Sequence, residues 1–473
     1  MNRVLLWSLG LTLLLLPLPF GSVEEWSIFI FEAITFILFG AYLIDRLRQK
    51  QTSDADRDIP WGLKILIAVF FVFTAIQLIP LPPSLLRLFS PRSFEIAGLQ
   101  NPIGWHPLTF SAAVSSYEFI KYVCYFLFAY LVSQSLRSRR DVEIFIWILL
   151  VAALFQSIYG LTEYWGGTGR IFGWENIYNQ GSAFGTYINR DHFSGFLEML
   201  FPISIGYILA KANFFSMRPG LSLKEKILWF SQERLQKTLI IGLASVILGL
   251  GIIFSRCRTG VFIFIASLFL MSIISPMRGG NKTETGMSKG KTGEHRRSSK
   301  IVRTVTVTVV FLAVVVGLNP VINRFTKEGW AWDLGRGAFY NNTLDLINMF
   351  LLTGTGPGTF VHAYPMTEKA ANSNIIVDHA HNDYLEVLAE SGIIGGGALI
   401  LAAFGGVIWI FKRWLRRRDP FIRGVVLGAL TGIMAMLVHS LMDFNLRIPA
   451  NAVYFFALYV LAFRAVQMRR EST

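Results

Sequence analysis

Apolar runs, each about the length needed to cross the hydrocarbon of a bilayer, recur from one end of this chain to the other. They lie at Val4–Phe20, Trp26–Ile44, Leu63–Ile79, Phe119–Leu136, Ile144–Leu161, Phe193–Lys211, Thr238–Phe254, Val261–Ser275, Thr304–Leu318, Ile393–Phe411, Val425–Leu441 and Ala452–Val466. In hydrocarbon no water can satisfy an open backbone, so each run must be a helix. The pattern predicts an all-α polytopic membrane protein with about twelve spans, built as a single integral membrane domain over 1–473. Composition agrees: 53% of residues are hydrophobic and only 16% charged, which an ordinary soluble domain does not show. The first run follows Arg3 like a signal peptide, but it lacks an A-x-A cleavage site and is expected to stay as a helix.

The formal charge is +14, which in a soluble chain would point to nucleic acid. Here the positive-inside rule accounts for it, and no nucleic-acid partner is expected. With the N-terminus in the cytoplasm, the basic loops 45–64, 136–143, 211–237, 277–303 and 412–423 and the tail all fall inside. About 32 of the 44 Lys and Arg then lie on that side. Both termini are cytoplasmic in this scheme. Segment 277–303 reads as a Gly- and Ser-rich basic linker, and Lys412, Arg413 and Arg416–Arg418 suit anionic lipid headgroups. Cys124 and Cys257 have no metal-site or disulfide spacing.

The opposite, outward face carries the informative loops: 80–116, 164–191 and a long loop over 319–392, expected to lie over the membrane as short helices without a core of its own. Outward arginines near span ends need a reason, because charge at that depth is costly unless paired or wet. Arg190 stands in Gly185-Thr-Tyr-Ile-Asn-Arg-Asp-His-Phe-Ser-Gly195, with Asn189 and His192 beside it. Arg256 and Arg258 stand in the turn Phe254-Ser-Arg-Cys-Arg-Thr-Gly260, and Arg336 in Asp333-Leu-Gly-Arg-Gly337. Snorkelling explains one such arginine. Several together suit an anionic ligand, since guanidinium binds phosphate bidentately at any working pH.

The same loop ends in Asp378-His-Ala-His-Asn-Asp-Tyr-Leu-Glu-Val-Leu-Ala-Glu-Ser-Gly392. His379 and His381, two apart, lack the third ligand and the spacing of a zinc site, so no metal is expected. A histidine beside a phosphate site can instead take a proton from a hydroxyl. Gly354-Thr-Gly-Pro-Gly-Thr-Phe360 is not a P-loop and reads as a tight turn. His439 and Asp443, at the end of the eleventh run, read first as packing residues, with a local polar pair between them as the alternative.

Taken together these segments resemble the O-antigen ligase and polymerase superfamily. The resemblance rests on His381-Asn-Asp-Tyr-Leu with Leu388-Ala-Glu-Ser-Gly392, the glycine-rich 354–360 upstream, the segment 185–197, the turn 257–260 and the closing 439–451, and it covers about residues 140–465. It implies a membrane glycosyltransferase fold and transfer of a glycan from an undecaprenyl-diphosphate carrier to an acceptor hydroxyl at the periplasmic face of a bacterial inner membrane. It implies no cofactor and no nucleotide sugar. His381 matches the histidine that activates the acceptor. Arg190 and an arginine of the turn match those that hold the diphosphate, Arg258 fitting the R-x-G pattern better than Arg256. Arg336 matches a less constant position, and His379, Asn382, Tyr384, Asn189 and His192 are supporting residues. Cys257 stands where the family has Ser, which puts a structural role for that hydroxyl in doubt. The acceptor is left open among lipid A core, a growing polysaccharide and a protein hydroxyl, so ligase, repeat-unit polymerase and protein O-glycosyltransferase all stand. A transporter of a lipid-linked anionic glycan is the reading from another class. It fits less well, because the halves of the sequence do not repeat and the polar residues sit at one face.

Overall fold

The computed structural model describes residues 2–49, 59–100, 104–211, 233–275, 334–368 and 376–468, and they are almost all helical. In chain order the helices are α1 (Asn2–Leu15), α2 (Glu25–Gln49), α3 (Trp61–Leu78), α4 (Pro83–Phe89), α5 (Pro91–Gln100), α6 (Ala112–Ser135), α7 (Arg139–Gly166), α8 (Arg190–Lys211), α9 (Glu233–Phe254) and α10 (Arg258–Ile274). They continue with α11 (Leu334–Met349), α12 (Phe360–Ala363), α13 (Asp383–Ser391), α14 (Gly397–Leu415), α15 (Pro420–His439) and α16 (Pro449–Gln467). A small antiparallel hairpin, β1 (Arg170–Ile171) with β2 (Trp174–Glu175), sits in the 164–191 loop, and an isolated bridge joins Leu81 to His106.

Each predicted apolar run lies on a helix except the ninth, 304–318, which falls outside the described residues with the basic linker 277–303 and the start of the long loop. Seven described helices are long and apolar enough to cross a membrane, and three shorter apolar ones accompany them. α1 stops at Leu15, short of the predicted Phe20, because Pro17 and Pro19 cannot continue a helix. α7 is set by a capping box, Ser138 with Asp141, and closes on Gly167 at φ 65°.

The centre is α8 against α15. Some 94% of the α8 span is buried inside the protein, against 17% for α3, which therefore presents its face to lipid. Gly424, Gly428 and Gly432 form a four-residue ladder on α15. A Cβ at Gly424 or Gly428 would meet α8 backbone at Gly206, and one at Gly432 would meet the Met199 carbonyl. Lipid provides no hydrophobic drive between helices, so such close backbone approach supplies the packing.

The long loop does have an apolar cluster of its own, contrary to expectation. Leu346, Ile347, Phe350, Phe360, Ala363 and Tyr364 pack with Val377, Ala380 and Ala389. The glycine-rich turn builds the join: Gly354, Gly356 and Gly358 have φ of 65°, 102° and 76°. Thr355 N–H donates to the Ala389 carbonyl at 3.0 Å and Gly356 N–H to the Glu390 carbonyl at 2.8 Å. The turn thereby fastens the loop to the end of α13, where Gly392 (φ 60°) breaks the helix before a five-residue π-helical turn leads into α14.

Candidate active site

Helix ends converge at one end of the bundle: the starts of α8, α10, α13 and α16 and the ends of α9 and α15. Asn382 caps α13. Its side-chain oxygen accepts from Tyr384 N–H (3.0 Å) and Leu385 N–H (3.1 Å), and its amide donates to the Leu441 carbonyl (3.0 Å). The residue before the cap, His381, has φ 51°, a left-handed backbone that costs about 1 kcal/mol or more outside glycine. The neighbours hold it there: Tyr340 hydroxyl donates to the His381 carbonyl at 3.0 Å, and Asp383 N–H to the Ser440 carbonyl at 2.9 Å.

This backbone aims the imidazole at Asp443, Nδ1 to Oδ1 3.0 Å. Asp443 is buried at 3% side-chain exposure and also accepts from Phe444 N–H at 2.9 Å. Burial opposes its charge, but the hydrogen bond from His381 and the imidazoles of His192, His381 and His439 hold its carboxyl below the usual range. A carboxylate can only accept, so the bond assigns the proton to Nδ1 and leaves Nε2 as an acceptor on a ring 27% exposed.

A second dyad lies alongside. His379 Nδ1 meets Glu386 Oε1 at 2.8 Å, with Glu386 buried and the imidazole 28% exposed. Burial opposes charge on His379, yet the Glu386 carboxylate outweighs it and raises the imidazole's pKa above its ordinary value. Arg447 is shared between Glu386 (3.0 Å) and Glu390 (2.5 Å). Phe444 stands between the dyads: His379 stacks on it at 4.1 Å, and His381 and His192 meet it edge-on at 5.0 and 4.7 Å.

His439 and Asp443 are both buried, and the local side-chain pair between them, the alternative to packing, does not form. α15 ends at His439, so the next residues leave the helix face. His439 instead pairs with Glu198 of α8, both buried, and its carbonyl accepts from Met442 and Asp443 N–H at 2.8 and 3.1 Å. It thus fixes the turn that carries Asp443.

The other sequence candidates are distributed as follows. Arg190 opens α8 half-buried, and the Asn189 side chain accepts from Asp191 N–H at 2.8 Å. His192 is buried, and its carbonyl accepts from Asn451 at 3.0 Å. Arg256 has φ 59° and donates to the Gly181 carbonyl at 2.8 Å, tying the turn to the 164–191 loop. Arg258 is the first residue of α10 and half-buried. Between them, Cys257 takes over the capping role that was in doubt: its Sγ accepts from Gly260 N–H at 3.2 Å. Arg336 lies in the first turn of α11, its side chain outside what the structure describes. Tyr384 ties α13 to α15 through the Leu437 carbonyl at 2.6 Å.

Sequence reasoning missed Glu198, Glu386, Glu390 and Arg447. Two signals were present. Glu386 and Glu390 are four apart, hence on one helix face, and Glu198 is a carboxylate inside a predicted span. Each demands a cation. Among the described residues no group of three His, Cys, Asp or Glu is placed to hold a metal ion.

Beside the dyads an apolar cleft of about 490 Å³ runs between α3, α6, α14 and α16. Asp383, Tyr384 and Arg447 line it together with Leu399, Ile410 and Phe463. Tyr384, Tyr122 and Tyr459 turn their hydroxyls to protein partners, so the walls present mostly carbon.

No curated protein matches the chain. A family model described as O-Antigen ligase matches residues 243–400, a stretch running from α9 into α14 that includes both arginines of the turn and both histidine dyads' imidazoles. Over that stretch, about a third of its length, the chain is similar to the O-antigen ligase family, and its long apolar helices agree with a membrane protein.

Proposed function

We propose that this protein transfers a glycan from an undecaprenyl-diphosphate carrier to an acceptor hydroxyl at the periplasmic face of the inner membrane, in the assembly of an extracellular or lipopolysaccharide glycan. The observation that carries the reading is the His381–Asp443 dyad, which leaves Nε2 of a partly exposed imidazole ready to accept a proton. His381 takes the proton of the acceptor hydroxyl, and the oxygen attacks the anomeric carbon in one displacement that inverts it. Arg190 and Arg258, with Arg256 and Arg336 in support, neutralise the diphosphate as it leaves, doing with fixed guanidinium groups what a metal does elsewhere. Asn382 and Asn189 hold the backbone, and Tyr384 holds α13, so these residues serve by positioning. The apolar cleft gives a lipid chain a place beside the site.

The test is transfer of label from a fluorescent undecaprenyl-diphosphate glycan to a crude acceptor extract by the purified protein in detergent, with chelator in a parallel tube. Transfer that survives chelator supports the reading, and product size separates a ligase from a polymerase. Carrier movement across liposomes without any transfer would replace it with a transporter.

A further inference from the structure

Glu386 and Glu390 are 1% and 2% exposed and share the one guanidinium of Arg447. His379 brings a second positive charge to the same cluster when it is an imidazolium, since its Nδ1 lies 2.8 Å from Glu386. The groups facing it are Glu386 from α13, Arg447 from the turn before α16, Asp378 on its own loop segment and His192 from α8. Their balance raises its pKa.

The neighbouring dyad differs. Asp443 is a single carboxylate, and it has the imidazoles of His192 and His439 near it as well as His381. His379 and His381 meet the same Phe444 ring, at 4.1 and 5.0 Å. Both imidazoles are about a quarter exposed.

We propose that His379 is a second catalytic residue, an imidazolium that gives its Nε2 proton to the phosphate oxygen leaving the sugar while His381 receives the proton of the attacking hydroxyl. The proposal rests on the transfer reading above. The bond from acceptor oxygen to anomeric carbon forms and the bond from that carbon to the phosphate oxygen breaks. The acceptor's proton passes to His381 Nε2 and the proton of His379 passes to the diphosphate. His381 ends charged and His379 neutral, and exchange with solvent at both exposed rings restores the starting state. No net charge is created at the site.

The experiment is the pH profile of single-turnover transfer by the wild type from labelled undecaprenyl-diphosphate glycan. The profile should fall on its alkaline side, where the His379 proton is lost. His379→Gln should lower kcat by about 10²–10⁴-fold, remove the alkaline limb and leave KM for the donor within a few-fold. Glu386→Gln should move the alkaline limb to lower pH. A wild-type profile that stays flat through pH 9 overturns the proposal without need of any variant. So does a folded His379→Gln that keeps the limb, or one that loses activity through KM alone. Absence of transfer by the wild type at every pH overturns the transfer reading instead, and activity in His381→Gln overturns the base.

Discussion

His381 is the residue on which backbone, charge and exposure meet. Its left-handed backbone at φ 51° is held by the Asn382 cap and by Tyr340, and its ring is held by Asp443. Asp443→Asn keeps the shape but can donate to Nδ1, which would turn the ring to the other tautomer. We expect transfer to fall about 10²–10⁴-fold with little change in donor binding, measured as kcat against KM. The pH dependence of stability follows from the same residue. The Asp443 carboxyl is held below its ordinary value, so its contribution is complete above about pH 4 and is lost as pH falls further. Thermal melts between pH 5 and 3 should therefore decline less steeply for Asp443→Asn than for the wild type. At this scale the sequence showed the imidazole and the carboxylate but not their pairing. Sixty-two positions separate His381 from Asp443, and His439 stood nearer to Asp443 in the chain.

At the scale of elements, the site is a junction of helix ends locked by ion pairs. Arg447 lies beside Glu386 and Glu390 of α13, and the Glu390 carboxylate also accepts from Phe360 N–H at 3.3 Å. One guanidinium thus joins the turn before α16 to α13 and to the glycine-rich segment of the long loop. Arg447→Ala would leave two buried carboxylates short of their cation and should destabilise the protein by about 3–5 kcal/mol, read as a lowered melting temperature in detergent. Helix positions were legible because hydropathy is a local property, and the runs at 193–211 and 425–441 fall on α8 and α15. The pairings across elements were not. Glu386, Glu390 and Arg447 each look like an isolated charge until tertiary contact supplies the partner. The loop's own apolar cluster was hidden for the same reason, since Leu346, Phe350, Tyr364 and Ala389 share no single period.

For the whole molecule, the dense core of α8 and α15 and the lipid-facing helices around it divide the work. The core carries Glu198, His439 and the turn that presents Asp443, while α3, α6, α14 and α16 enclose the apolar cleft. The glycine ladder on α15 works through its backbone contact with α8. Gly428→Leu would force these helices apart and should abolish folding and transfer together, seen as loss of the monodisperse peak in size-exclusion chromatography. The central claim is that this one end of the bundle performs general-base glycosyl transfer through His381. Its most direct test is single-turnover transfer from prebound undecaprenyl-diphosphate glycan by wild type and by His381→Ala, both shown to be folded and to bind donor equally. The account predicts a fall of about 10²–10⁴-fold in the variant. Transfer at the wild-type rate by His381→Ala would contradict it.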